Sequence, residues 1–186
     1  MGEAYTFIFT GNRLSSMKLK NSLLGHERDI WAWVAIRFTL AWFTLWAFFD
    51  KLLGLGFATA SGKAWINGVS PTSGYLNFGT SGLFGDMFAG LANNAVVDVI
   101  FMAALLLLGV SLLLGIGLRV AAIGGSLFFA LLWLSNFPPI NNPIVDEHVI
   151  YIFALNGIAL AKAGRYWGLG SWWSKLKVVQ KFKFLE

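Results

Sequence analysis

The chain has 186 residues, 57% of them hydrophobic and only 12% charged, with a formal net charge of +5. One small soluble core does not need that much apolar surface, so the composition indicates a membrane protein rather than a globular domain. The absence of Cys excludes thiolate metal sites, iron–sulfur clusters, covalently attached haem and thiol–disulfide chemistry within the chain.

Residues 1–29 read as a cytoplasmic segment carrying Arg13, Lys18, Lys20, His26 and Arg28. The first spanning segment follows, from Ile30 to Gly56. Ala58-Thr-Ala60 resembles a signal-cleavage site, but the apolar stretch before it is too long for a signal core, so the segment is read as retained. An outer loop occupies 57–94 and is long for a simple connection. Within it Leu83, Phe84, Met87, Phe88 and Leu91 recur at helical spacing, which predicts a short helix covering the bundle mouth, as a shield or as a lid over a site.

The second span is read from Ala95 to Leu114, with Asn93 and Asn94 as its capping residues and Asp98 near its positive end. The third runs from Leu118 to Phe137, separated from the second by Gly115-Ile-Gly117, which requires a tight antiparallel hairpin. Gly117, Ala121 and Gly125 place a small residue at every fourth position and predict close helix packing. A looser stripe, Ala154, Gly157 and Ala161, lies in the fourth span, Pro143 to Ala163. Each span approaches the ~20 residues needed to cross a bilayer core, where only helices satisfy their own backbone. The expected architecture is an all-α, four-helix antiparallel membrane bundle over 30–163, followed by a basic aromatic tail at 164–186.

Orientation follows from Lys and Arg. They gather before the first span and after the fourth, where Lys162, Arg165, Lys175, Lys177, Lys181 and Lys183 lie, while Arg119 flanks the short turn. Both termini are therefore assigned to the cytoplasm, and the two remaining loops to the outside. The basic tail fits topology and anionic headgroups, and no nucleic-acid partner is expected. Nine Trp and 17 Phe suit rings anchored at membrane interfaces.

Arg37 lies roughly 10 Å inside the first helix. A guanidinium at that depth either snorkels to the cytoplasmic surface or finds a partner or ligand between helices. At the other face, NNPIVDEHVIY (141–151) sets Asp146, Glu147 and His148 side by side. Pro143 suits a first helical position with Asn142 as cap, and the two acids suit the first turns. His148 has no such explanation. It shares a helical face with Tyr151, Ile152 and Leu155, and an imidazole beside carboxylates is a natural proton carrier. No metal is expected, because His26 is assigned to the opposite side of the membrane and leaves His148 only carboxylate or amide co-ligands.

KLLGLGF (51–57), GKAWINGVSPTSGYLNFG (62–79), LRVAAIGG (118–125), NNPIVDEHVIY (141–151) and AGRYWGLGSWW (163–173) together resemble the DoxX/DoxD-like membrane proteins. The likeness is narrower to the DoxD type, the membrane subunit of thiosulfate:quinone oxidoreductase. That resemblance implies four helices, oxidation of thiosulfate to tetrathionate, a quinone acceptor and a separate DoxA-like partner chain. On this reading His148, Asp146 and Glu147 handle protons. Lys51 and Lys63, with Trp65, Tyr151 and Asn142, hold the substrates. Against a dianionic substrate stand two outer lysines facing Asp50, Asp86, Asp98, Asp146 and Glu147, a net of −3 with His neutral. That balance equally suits a non-catalytic accessory subunit of a larger respiratory or photosynthetic complex. A carrier is the weakest alternative, since neither an inverted repeat nor a broken helix is evident.

Overall fold

A computed structural model describes residues 29–186. Residues 1–28, with Arg13, Lys18, Lys20, His26 and Arg28, lie outside the described residues. The described part is helical, with no strand among the described residues. Four longer helices, α1 (Asp29–Leu53), α4 (Ala95–Leu114), α5 (Leu118–Leu134) and α6 (Glu147–Leu160), share one buried core. Ile30, Val34 and Leu40 of α1 meet Leu108 and Leu112 of α4, Ala122 and Phe129 of α5, and Leu155 and Ile158 of α6. Two of these helices, α1 and α4, are long and apolar enough to cross a membrane, with mean hydropathies of 1.4 and 2.7. At 17 and 14 residues, α5 and α6 reach about 26 and 21 Å by the helical rise.

The expected boundaries shift at three points. α1 ends at Leu53 rather than Gly56, because Gly54 turns the chain at φ 66°. α5 ends at Leu134 rather than Phe137, with Ser135 and Asn136 drawn into hydrogen bonds with Tyr75. α6 begins at Glu147, not Pro143: Asp146 is its cap, accepting from the His148 and Val149 amides. Asn142 instead closes a separate turn, accepting from Ile144 N and Val145 N. The cap on α4 is Asn94, whose side chain accepts from Val96 N and Val97 N.

Close helix approach does use the small residues. A Cβ on Gly125 would stand 2.6 Å from Leu155 Cδ1, and one on Gly157 would collide with the Trp33 ring. Gly117 serves the α4–α5 turn instead, at φ 58°, with Gly115 at φ 70°.

The 57–94 segment is ordered by short helices, α2 (Ser73–Phe78) and α3 (Gly85–Ala89) among them. Its fastenings are polar. Asp50 accepts from the Phe57 and Thr59 amides, and buried Asp98 accepts from the Ser70 and Thr72 hydroxyls at 2.8 and 2.5 Å. Ser81 N and Leu83 N donate to the carbonyls of Ser135 and Phe137 beyond α5. Gly82 sits there at φ 75°, where a Cβ would run into the Phe137 carbonyl. The expected amphipathic helix is only partly present: α3 holds Met87, exposed, and Phe88, buried, while Leu83 and Phe84 fall in a 3-10 turn before it and Leu91 lies beyond it.

At the opposite end, residues 164–186 fold back onto the α4–α5 turn through α7 (Gly170–Trp173) and α8 (Lys177–Lys181). Leu169 N donates to Leu114 O, Arg119 donates to Lys183 O, Trp173 Nε1 donates to Leu185 O, and Val179 is buried. Arg165 pairs with Glu186, and this hydrogen bond, helped by the charges of Arg165, Lys162 and Arg119, holds the Glu186 carboxyl below its usual range.

Candidate functional site

The α5–α6 connection, the N-terminus of α6 and Ser81 of the 57–94 cover line an open cavity of about 250 Å³, with Asn136, Asn142, Asp146, Glu147 and His148 in its wall. Asp146 organises it by using both oxygens. Oδ1 caps α6, and Oδ2 lies 2.8 Å from His148 Nδ1. With the carboxylate accepting, Nδ1 is the donor nitrogen, which leaves Nε2 to accept or carry a proton. Both side chains are largely buried, at 17% exposure for His148 and 13% for Asp146. The imidazole is flanked by Phe129 and Tyr151, at ring-centroid distances of 6.1 and 6.3 Å. Tyr151 in turn packs on Phe43 of α1 and Phe129 of α5, so the pair is held by three helices.

The donor atoms of Asp146, Glu147 and His148 lie within 4.8 Å of one another, a spacing that would let them share a cation. Asp146 already commits both oxygens to the helix amides and the imidazole, and Asn142 commits its carbonyl oxygen to a turn.

The other sequence-predicted residues are elsewhere. Lys51 is half-buried with its ammonium 6.0 Å from the Phe101 ring centroid. Trp65 packs against Phe48, Met102 and Leu105, and Lys63 is exposed. None of the three lines the His148 cavity, nor does any other Lys or Arg.

Arg37 corrects the snorkelling expectation. It is fully buried, and its two terminal nitrogens are satisfied by protein: Nη1 donates to Leu112 O at 2.8 Å and Leu113 O at 3.3 Å, and Nη2 to Trp167 O at 2.8 Å and Tyr166 O at 3.2 Å, while Nε is buried without a partner. Its partners are backbone carbonyls, not a ligand.

A polar group missed from sequence joins α2 to α5. Tyr75 OH lies 2.7 Å from Ser135 Oγ and accepts from Asn136 Nδ2 at 2.7 Å, while Asn136 Oδ1 accepts from Ser81. Burial pushes the Tyr75 hydroxyl above its ordinary pKa; the nearby Asp146 and Glu147 charges add to this, and its hydrogen bonds with Ser135 and Asn136 oppose it. The only sequence signal was the turn-rich PTSGY run, which has no periodicity linking it to residues 60 positions away.

No family model, curated protein or solved structure matches the chain.

Proposed function

We propose that the chain crosses a prokaryotic plasma membrane four times, through α1, α4, α5 and α6, and is the membrane subunit of a quinone-linked oxidoreductase. The membrane reading is supported by how much large apolar surface is exposed around an apolar core that also buries a few polar groups. Arg37, Thr44, Asp50 and Asp98 are buried, while Trp42, Ile100, Ile123, Leu127 and Phe153 are exposed. Exposed apolar faces this extensive suit lipid. The Lys and Arg distribution supports an orientation with the 29 end of α1 and the 164–186 tail in the cytoplasm and the His148 cavity outside.

The observation that carries the catalytic reading is the Asp146–His148 pair in the wall of a cavity. Resemblance supplies the reaction: two thiosulfates join through a new S–S bond to tetrathionate, releasing two electrons, and a quinone takes up those electrons and two protons to become quinol. His148 Nε2 delivers protons to the reduced quinone oxygen, and Asp146 holds the imidazole oriented. Glu147, at the rim, relays protons from outside. Purified protein, assayed alone and with a candidate DoxA-like partner, is expected to reduce quinone with thiosulfate, and His148→Gln is expected to lower that rate about 100-fold, the usual scale of a lost general acid. An unchanged rate in the variant removes the role.

A second reading is favoured by the absence of Lys and Arg from the cavity lining. A dianion has no cation to meet there, which suits a non-catalytic subunit of a larger membrane complex. Absence of turnover with every partner, together with co-purification in such a complex, supports that reading.

A further inference from the structure

Asn156 carries the one side-chain amide on the four long helices. Its Nδ2 donates to Ser126 Oγ of α5 at 3.0 Å and to Ile152 O at 2.8 Å. Those two bonds use both amide hydrogens. The Asn156 carbonyl oxygen accepts no hydrogen bond among the described residues, and the Ser126 hydroxyl donates none there. Asn156 is exposed and Ser126 half-buried, so both open groups lie at the outer surface of the bundle. Ser126 stands eight residues from either end of α5, about 12 Å from each by the helical rise. In the four-crossing arrangement that is the middle of the bilayer, where no water completes the bonds. Around the pair Ile123, Leu127, Phe153 and Leu160 are exposed, and residues 120–134 and 149–160 include no charged side chain.

We propose that this face of α5 and α6 joins two copies of the chain about a two-fold axis, each Ser126 hydroxyl donating to the partner subunit's Asn156. The proposal rests on the four-crossing reading and not on the reaction. Two features select a second copy. The face holds one open donor beside one open acceptor, so a half-turn sets each against its complement and closes the bond twice. A different chain would have to supply both groups at the same spacing. The face is also uncharged, so two like surfaces meet without repulsion. In lipid, apolar surface alone gives helices no drive to associate, and hydrogen bonds between them add to packing.

The test is energy transfer between copies of the full chain in phosphatidylcholine vesicles, labelled at Lys175→Cys with a donor or an acceptor dye and diluted with lipid. Wild type is expected to show transfer above random proximity, abolished by excess unlabelled chain. Asn156→Leu and Ser126→Ala are each expected to weaken association about tenfold, since either substitution removes both interhelical bonds. Ser126→Ala keeps the Asn156–Ile152 bond, so it reports the interface even where Asn156→Leu disturbs α6. Absence of transfer in wild type, or wild-type association in both variants, overturns the proposal. So does a wild type that is monomeric alone yet held through Asn156 by another membrane chain, which gives the face to that chain. Crossing is read separately, from labelling of Ile140→Cys by an impermeant maleimide in intact cells. Labelling without energy transfer removes this inference and leaves the four crossings. Protection of Ile140→Cys alongside the tail removes both.

Discussion

Arg37 is a cation that finds no carboxylate among the described residues and is held by carbonyl dipoles. A helix leaves its last four carbonyls without intrahelical partners, and apolar surroundings make each one costly. In α4 all are matched. Ser111 O accepts from Gly115 N and Ile116 N, Leu114 O accepts from Leu169 N, and Leu112 O and Leu113 O accept from Arg37. The guanidinium also meets the negative end of the α4 dipole and lies 4.3 Å from the Phe38 ring centroid. One side chain of α1 thereby closes α4 and anchors the chain leaving α6. Arg37→Leu strands two α4 carbonyls and two from 166–167, so it should cost about 3 kcal/mol or more, at ~1–3 kcal/mol per unsatisfied buried group. That corresponds to a melting temperature lower by about 6–12 °C in detergent for a chain of this size. Arg37→Lys should recover only part of the loss, since one ammonium has no planar fork to bridge both segments. A Leu variant that melts like the wild type would show that these contacts carry no net stability.

At the scale of elements, helix separation is set by missing side chains. Gly157 of α6 faces the Trp33 ring of α1, and Gly109 of α4 faces Leu45, where a Cβ would stand 2.6 Å from Cγ. Gly124, one residue before the interfacial Gly125, meets nothing within 4 Å. The pair Gly157→Ala and Gly124→Ala therefore isolates the contact. The first should destabilise by about 1–3 kcal/mol through overpacking. The second should be neutral or stabilise by up to about 1 kcal/mol through helix propensity. Equal melting temperatures in the two variants would mean that α6 is not seated against α1 as described. These elements also show what could be read in advance. Asn94, Gly115 and Gly117 act through neighbours within a few residues, so the start of α4 and the α4–α5 turn were legible. The start of α6 was not, because Asn142 and Asp146 are both competent caps and local chemistry does not rank them. The imidazole of His148 tips the choice by occupying the second oxygen of Asp146. Arg37 and Tyr75 have partners 75 to 130 and 57 to 61 residues away, and no periodicity encodes such distances.

At the scale of the molecule, the open choice is between two crossings and four. By length and composition, α1 and α4 are able to cross a membrane and the shorter α5 and α6 need not. Packing argues for all four. α5 and α6 share the core with α1 and α4, and they turn Ile123, Leu127, Ile150 and Phe153 outward. Those side chains would face water in a two-span arrangement, at roughly 1.5–3 kcal/mol forgone for each one left unburied. The two arrangements place the α5–α6 connection on opposite sides. With four crossings it shares a side with the 57–94 cover, and with two it shares a side with the tail. Because the chain has no Cys, single introduced thiols report without background. Lys63, Ile140 and Lys175 are all exposed positions for them. In intact cells a membrane-impermeant maleimide should label Lys63→Cys and Ile140→Cys, and should reach Lys175→Cys only after permeabilisation. If Ile140→Cys follows Lys175→Cys instead, α5 and α6 stay on the tail side. The 57–94 cover would then lie across the membrane from α6, and the His148 cavity, which Ser81 of that cover helps to line, could not form as described.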